Sequence, residues 1–137
     1  EQVLKEFHDQ ESVTYLALSD DTIIGYFRIR RNAEADQWLG DNNLELQRFY
    51  LHPGFQGRGI AQEMMELVYQ NCRHCEWLWL GVWEFNPRAV QFYKKCGFEV
   101  EFIRENKENP KLTKTFFIKY LKMFINFIKI SILFEKL

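Results

Sequence analysis

The sequence predicts a mixed α/β fold, and three features of the 137-residue chain lead to this prediction. Two alternating segments joined by a polar turn come first. A strand, a glycine-rich loop and a helix-periodic segment follow in that order. A short apolar run and a second helix with clear start signals come next. Because strands and helices alternate after the first pair, we expect them to pack against each other around one core.

The first elements are predicted to be antiparallel strands. Residues 13–18 and 22–30 flank a tight polar turn, which is typical of a β-hairpin. The polar stretch 31–43 predicts a loop, and residues 44–51 predict a third strand. Strict alternation in this third strand divides its side chains between two faces. One face would carry Leu44, Leu46, Arg48 and Tyr50, and the other Glu45, Gln47, Phe49 and Leu51.

A glycine-rich loop follows the third strand. Residues 56–61 read Gln-Gly-Arg-Gly-Ile-Ala, and apolar residues then recur at helical spacing to near Arg73. The first N–H groups of a helix lack partners and lie at the positive end of its dipole, so this loop predicts an anion site. The Walker pattern requires Gly-Lys-Ser/Thr and the dinucleotide fingerprint requires a third glycine, and the loop has neither.

The second half of the chain predicts one more helix and three more strands. Residues 77–83 form an apolar run typical of a strand that is covered on both faces. Asn86 and Pro87 mark the start of a helix, and Gly97 marks its end. Residues 98–103 alternate as a strand, with residues 113–121 as its candidate partner.

The end of the chain, residues 115–137, has an atypical composition. It consists almost wholly of Phe, Ile, Lys, Leu, Asn and Tyr. Lysine and asparagine residues interrupt its apolar run, which therefore falls short of the ~20 predominantly apolar residues that a membrane span needs. We expect no membrane span here.

Charge and cysteine content limit the partners. A formal net charge of −1 gives no global field that would attract nucleic acid or an anionic membrane. Three cysteines and no signal peptide predict a cytoplasmic location without a disulfide framework. The pair Cys72 and Cys75 has the spacing of half a zinc site, but no second pair follows at a suitable distance, so no metal site is predicted. The chain starts at Glu1 without Met, and we expect a single domain, 1–137, that is incomplete at its N-terminus.

Three segments, in order, resemble the GNAT N-acetyltransferases. The loop fits that family's pyrophosphate pattern, Arg/Gln-x-x-Gly-x-Gly/Ala. Residues 44–53 look like the family's fourth strand, and residues 86–98 match its Asn-x-x-Ala-x-x-x-Tyr-x-x-x-Gly-Phe helix. The resemblance covers about residues 13–102. It implies the GNAT fold, which is a mostly antiparallel central sheet with flanking helices, splayed at the acetyl-CoA site.

The resemblance implies roles for individual residues. The backbone of residues 49–51 would pair with the pantetheine arm, and the glycine loop would hold the pyrophosphate. Tyr93 would protonate the departing CoA thiolate. Glu45 is the candidate general base, with Glu84 in reserve, because an alkylammonium of pKa about 10 has to lose a proton before it attacks a thioester. The cofactor-binding candidates are Phe49, Tyr50, Leu51, Gln56, Gly57, Arg58, Gly59, Ile60, Ala61, Asn86 and Tyr93.

Three of the candidate site residues, Tyr93, Asn86 and Glu45, also have structural explanations that require no role in binding or catalysis. Tyr93 lies beside an apolar helical stripe and would serve as a core aromatic residue. Asn86 would cap its helix, and Glu45 would be a solvated strand residue. For the whole chain there are two corresponding alternatives. One is a non-catalytic acyl-CoA-binding module, and the other is a structural or interaction role carried by the apolar tail.

As a whole, the resemblance implies an acetyl-CoA-dependent N-acetyltransferase. The acetyl group would pass directly to a primary amine of a small molecule such as a polyamine, or to a protein N-terminus or lysine. Neither a metal nor a covalent enzyme intermediate is needed. The segments before the loop and before Asn86 look most like the bacterial spermidine/spermine type. No nucleic-acid partner is expected, a homodimer is compatible with the sequence, and the acceptor amine stays open.

Overall fold

The computed structural model describes residues 8–31, 42–83, 85–109, 111 and 114–120, and these residues form six strands and two α-helices. The chain divides into two compact units, residues 1–71 and 72–137, and each is described by itself. No helix in the described part of the chain is long and apolar enough to cross a membrane.

The described residues of the first unit form an antiparallel meander of three strands followed by a helix. Its elements are β1 (Ser12–Ser19), β2 (Thr22–Arg31), β3 (Asn43–Leu51) and α1 (Ile60–Asn71). Strand β2 lies in the middle and pairs with both β1 and β3. One face of β2 is closely packed, since Phe27 and Ile29 are each only 2% exposed.

The hairpin turn between β1 and β2 has the backbone expected for a two-residue connection. Asp20 and Asp21 have positive φ angles of 46° and 66°. Two consecutive positive φ angles match the right-handed twist of the flanking strands, and aspartate tolerates this conformation better than most residues. The predicted hairpin is therefore confirmed.

Strand β3 contains an extra residue that the alternation of its sequence did not reveal. Arg28 of β2 lies opposite Arg48, but the next residue, Ile29, lies opposite Leu46. Gln47 is thus the additional residue of a β-bulge. Because side chains alternate with a period of two, one extra residue exchanges the two faces for everything beyond it.

The predicted division of β3 into two faces is therefore wrong. Leu44 and Leu46 are buried on the same side as Phe49 and Leu51, rather than on the side of Arg48 and Tyr50. Stacking of the Phe27 and Phe49 rings, with centroids 6.5 Å apart, marks the buried side. The bulge lets one strand supply apolar side chains to the same face on both sides of Gln47.

The second unit contains the remaining strands and helix. Its elements are β4 (Trp77–Trp83), α2 (Pro87–Lys95), β5 (Glu99–Arg104) and β6 (Lys114–Tyr120). Strand β6 lies between β4 and β5 and is antiparallel to both. The predicted pairing of the last two strands is confirmed, so the atypical segment begins as a regular strand. Residues 121–137 lie outside the described residues, and the single-domain organisation stays a prediction.

The predicted signals at both ends of α2 are present. The Asn86 side-chain oxygen accepts a hydrogen bond from the Ala89 backbone N–H at 3.2 Å, and Pro87 is the first helical residue. Gly97 has a φ of 85°, and the backbone N–H of Phe98 donates to the Tyr93 carbonyl at 3.1 Å. These contacts satisfy backbone groups that every helix leaves without partners at its ends.

Candidate functional site

The glycine loop is held at its start by two side chains. After β3 the chain makes one turn of 3-10 helix, Pro53–Phe55. The Nδ1 atom of His52 accepts a hydrogen bond from the Gly54 backbone N–H at 3.1 Å. The Nε2 atom of Gln56 donates to the Leu51 carbonyl at 3.0 Å. Gln56 therefore ties the loop to the end of β3 with one N–H of its amide, and the second N–H of the same nitrogen can still donate to a pyrophosphate.

Gly57 and Gly59 give the loop its open backbone. Their φ angles are 77° and 82°, a region that side chains with a Cβ rarely adopt. A Cβ built at either position would meet no atom within 4 Å. The glycines are thus required by the backbone conformation, and the space beside them is accessible to a ligand.

The start of α1 supplies hydrogen-bond donors next to this space. The first intrahelical hydrogen bond runs from the Glu63 backbone N–H to the Gly59 carbonyl at 3.2 Å. The N–H groups of residues 60–62 precede it and have no carbonyl partner within the helix. Together with the positive end of the helix dipole, they fit an anionic group such as a pyrophosphate.

Arg58 brings a positive charge to the same loop. Its side chain is exposed, and its guanidinium lies over the Phe55 ring, 5.4 Å from the ring centroid. This cation–π contact holds the charge at the loop. Sequence reasoning identified Arg58 and missed Phe55, because a single aromatic residue before a glycine loop carries no pattern of its own.

A shallow groove of 370 Å³ opens beside the loop within the first unit. Its walls come from the end of β1, the start of β2, the loop and the first two turns of α1. They consist of Ala17, Leu18, Ser19, Ile24, Phe55, Arg58, Ile60, Glu63, Met64 and Leu67. Sequence reasoning missed this groove, since contacts between a hairpin and a helix leave no local signal.

The end of β3, residues 49–51, is the segment predicted to pair with the pantetheine arm. It pairs with β2 along one edge, with Tyr50 opposite Tyr26 and Leu51 opposite Gly25. A Cβ at Gly25 would lie 2.5 Å from the Tyr50 carbonyl oxygen, so only glycine permits this close approach. Gly25 thereby sets the position of the strand segment that leads into the loop.

Glu45 lies next to the β3 bulge. Its carboxylate accepts a hydrogen bond from Gln47 Nε2 at 3.3 Å, and Gln47 Oε1 accepts another from Arg28 Nε at 3.0 Å. The bulged residue therefore links Glu45 to β2. The structure places Glu45 on the half-exposed face of the sheet, opposite to the side of Phe49. The reserve candidate, Glu84, lies outside the described residues.

Tyr93 is buried in an aromatic cluster of the second unit. Its ring centroid lies 5.4 Å from that of Phe92, 5.8 Å from that of Phe98 and 6.2 Å from that of Phe117. Burial raises the pKa of the Tyr93 phenol well above its usual value of 10.0, and Cys96 adds a smaller electrostatic contribution. Tyr93 therefore keeps its proton at neutral pH, which a proton donor needs, but it is a weaker acid than an exposed tyrosine.

Asn86 is exposed at the start of α2, two turns before Tyr93. Its side-chain oxygen accepts the capping hydrogen bond, so the cap does not use its amide nitrogen. The structure thus places Asn86 at the N-cap of α2 and Tyr93 within this helix, while the loop, the end of β3 and Glu45 belong to the first unit. Among the described residues, no group of three or more His, Cys, Asp or Glu side chains is arranged to hold a metal ion.

Known proteins share both sequence and fold with the chain. The profile of the Acetyltransferase (GNAT) family matches residues 1–98. An uncharacterized N-acetyltransferase of Lactobacillus delbrueckii subsp. lactis is 34% identical over 90 residues, which are 63% of this chain and 51% of that protein. A spermine/spermidine N(1)-acetyltransferase of Bacillus subtilis is 24% identical over 80 residues, which are 56% of this chain and 53% of that protein. The chain spans about half the length of these curated relatives.

A solved structure gives the fold independently. The GNAT family acetyltransferase from Elizabethkingia anophelis with acetyl-CoA bound has a TM-score of 0.68 to the chain, at 20% identity. The match covers 88% of this chain and 84% of that protein. At this identity the likeness shows the fold alone, and it confirms the predicted mixed α/β class with mostly antiparallel strands. Since the family profile covers more than half of the sequence, the chain belongs to the GNAT acetyltransferase family.

Proposed function

We propose that this chain binds acetyl-CoA and transfers the acetyl group to a primary amine. The geometry of the glycine loop is the observation that carries the proposal. Gly57 and Gly59 keep the backbone open at the positive end of α1, where a pyrophosphate fits. Arg58 adds a charge that can form a charge-assisted hydrogen bond to the same group. Family membership supports the reaction class.

Direct transfer requires three proton movements around one bond exchange, because the ammonium nitrogen loses two protons on its way to the amide and the sulfur gains one. The amine nitrogen forms a bond to the thioester carbonyl carbon, and the carbon–sulfur bond breaks. We assign the first proton lost by the ammonium to Glu45, directly or through water, and the proton gained by the thiolate to Tyr93. The second nitrogen proton leaves to solvent as the amide forms, and the Tyr93 phenol recovers a proton from solvent before the next turnover. Because the phenol of Tyr93 is a weak acid in its buried position, we expect it to stabilise the thiolate mainly by hydrogen bonding as negative charge develops.

The acceptor we favour is a small polyamine-like molecule, with a protein N-terminus or lysine as the other option. The distant relative named as a spermine/spermidine N(1)-acetyltransferase supports the first option. A cytoplasmic location and a homodimer stay predictions. A panel of polyamines, amino acids and peptides with free N-termini tests the acceptor through thiol release from acetyl-CoA. Turnover confined to peptides would contradict the polyamine assignment.

A non-catalytic acyl-CoA-binding module is the second candidate, because one observation favours it. Tyr93 is only 7% exposed and its ring packs against three other aromatic rings, as expected for a residue that serves packing alone. Such a module would retain the glycine loop and its affinity for CoA. It would release no thiol in the presence of any amine.

The substitution Tyr93→Phe separates the two candidates. For an enzyme that uses the phenol, we expect kcat to fall by about a hundredfold or more, because proton donation typically contributes that much to a reaction rate. CoA affinity should stay within about twofold, since the ring and its packing remain. Thiol release and CoA titration by calorimetry measure the two quantities.

Tyr15→Phe is the matched control for this experiment. It also removes one tyrosine hydroxyl, which donates to the Asn71 side chain at 2.8 Å in the first unit. We expect this variant to keep the wild-type kcat. An unchanged kcat in Tyr93→Phe would refute the assigned role of the phenol, and tight CoA binding without turnover in the wild type would favour the binding module.

A further inference from the structure

We propose that Cys72 and Cys75 form a site of reversible oxidation, at which a small hydroperoxide converts the two thiols into a disulfide. This inference goes beyond the proposed function, because the acetyl transfer assigned above uses no cysteine. Both residues lie in the segment between α1 and β4, at the start of the second unit. The structure holds both as thiols.

The backbone of this segment brings the two cysteines together. The Cys75 backbone N–H donates to the Cys72 carbonyl oxygen at 2.9 Å. A four-residue turn that is closed in this way keeps its first and last Cα atoms within about 7 Å of each other. Disulfides join residues whose Cα atoms are usually about 4.4–6.8 Å apart. The two sulfur atoms can therefore be joined by rotation of the side chains, without opening the turn.

The exposure of the two side chains gives them different roles. Cys72 is only 1% exposed, whereas Cys75 is half-buried. A reagent in water therefore meets Cys75 first, and Cys72 is the neighbour that resolves the oxidised product. Thiols that respond to oxidants are typically accessible and lie next to a resolving cysteine.

Cys96 provides a comparison within the same unit. It is also half-buried, but it lies at the end of α2 and has no other cysteine near it in the sequence. Exposure alone would make Cys75 and Cys96 similar. The turn that joins Cys75 to a second cysteine distinguishes them, so we expect only Cys75 to form a disulfide.

The reaction balances with one peroxide and two thiols. The Cys75 thiolate attacks one oxygen of hydrogen peroxide, the O–O bond breaks, and the other oxygen leaves as hydroxide, which takes up the proton released by Cys75. Cys75 is then a sulfenic acid. The Cys72 sulfur attacks the Cys75 sulfur, the S–S bond forms, the S–O bond breaks, and the hydroxyl group leaves as water with the Cys72 proton.

The partial exposure of Cys75 also makes the disulfide reversible. A thiol reductant can reach the Cys75 sulfur, attack the S–S bond and restore both thiols by exchange. Disulfides of this kind are compatible with the reducing location predicted above, because disulfides in such compartments are usually transient.

Peptide mapping of the wild-type chain tests the site. The folded chain is treated with hydrogen peroxide, its remaining thiols are alkylated, and trypsin then places the three cysteines in separate peptides, residues 59–73, 74–88 and 96–104. We expect the first two peptides to be joined, to separate on treatment with dithiothreitol, and to come from a chain that stays monomeric in non-reducing electrophoresis. Cys96 should be alkylated. A link to peptide 96–104, a link between two chains, or no link would overturn the proposal and leave the proposed function intact.

Two variants test the separate roles of the cysteines. Cys72→Ala removes the resolving thiol, and Cys96→Ser is the matched control. We expect Cys72→Ala to accumulate sulfinic acid at Cys75 at least about tenfold above the wild type, because the sulfenic acid has no neighbouring thiol to react with. Cys96→Ser should form the disulfide as the wild type does. Equal amounts of sulfinic acid in Cys72→Ala and in the wild type would refute the resolving role, and the mapping of the wild type is independent of how well either variant folds.

Discussion

Gly25 and Gly57 are both glycines for physical reasons, but the reasons differ. At Gly25 a Cβ would lie 2.5 Å from the carbonyl oxygen of Tyr50, which is closer than real Cβ contacts occur. At Gly57 a Cβ would meet open space, and the constraint is instead the positive φ of 77°. The first glycine therefore controls the distance between two strands, and the second controls the path of one loop.

This difference predicts different outcomes for alanine at the two positions. Gly25→Ala has to push β3 away from β2, and overpacking of this kind costs about 1–3 kcal/mol of unfolding free energy. Since the displaced segment leads into the glycine loop, we also expect weaker CoA binding. Urea unfolding and CoA titration of the variant measure both effects.

Gly57→Ala serves as the comparison. It strains one backbone dihedral without a clash, which costs about 1 kcal/mol. We expect Gly57→Ala to lower the affinity for CoA as well, but without displacing β3. If Gly25→Ala were as stable as the wild type and bound CoA equally well, the close approach of β2 and β3 would have no role in positioning the site.

At the scale of elements, local signals were sufficient to predict most of the fold. The hairpin and α2 were both predicted, because their turn and cap residues act on backbone groups only two to four positions away. The β3 bulge was not predicted, because Gln47 becomes an extra residue only through its register with β2. The insertion of β6 between β4 and β5 also depends on partners far along the chain.

Asn86 offers a test of whether one residue serves both its helix and the cofactor. Asn86→Ala removes the capping acceptor and should cost about 1 kcal/mol of stability. Asn86→Asp retains an acceptor at the same place, so thermal unfolding should be close to that of the wild type. Because the aspartate lacks the amide donor and adds a negative charge, we expect CoA affinity to fall about tenfold in this variant.

The contrast between the two variants decides the assignment. Loss of CoA affinity in Asn86→Asp without loss of stability would indicate a contact with the cofactor. Wild-type affinity in Asn86→Asp would leave Asn86 as a helix cap alone. The comparison needs both substitutions, since the alanine variant changes stability and donor chemistry together.

At the scale of the whole molecule, the sequence predicted which residues are site candidates better than it predicted the contacts that their side chains make. The motif placed Gln56 in the loop, but the structure shows its amide bonded to the Leu51 carbonyl. Tyr93 was placed by its helix register, whereas its burial depends on rings from α2, on Phe98 beyond the helix and on β6. Motifs specify residue order, and side-chain surroundings depend on contacts between distant elements.

The burial of Tyr93 predicts a specific dependence of stability on alkaline pH. Its pKa in the folded chain is raised above the value of 10.0 that we expect in the unfolded chain. The phenol therefore contributes stability that is fully present below pH 10 and is lost as the pH rises through the raised value. Above about pH 10 the unfolded chain loses the proton first, so the contribution should decline by about 1.4 kcal/mol per pH unit.

Urea unfolding of the wild type and Tyr93→Phe between about pH 8 and pH 11.5 measures this contribution. We expect the difference in unfolding free energy between the two proteins to be constant below about pH 10 and to change steeply above it. Phe98→Leu is the control, because it alters the same aromatic cluster without removing a titrating group. A difference that stays constant over the whole range would show that the phenol ionises alike in both states, and the buried cluster around Tyr93 would then not form in solution.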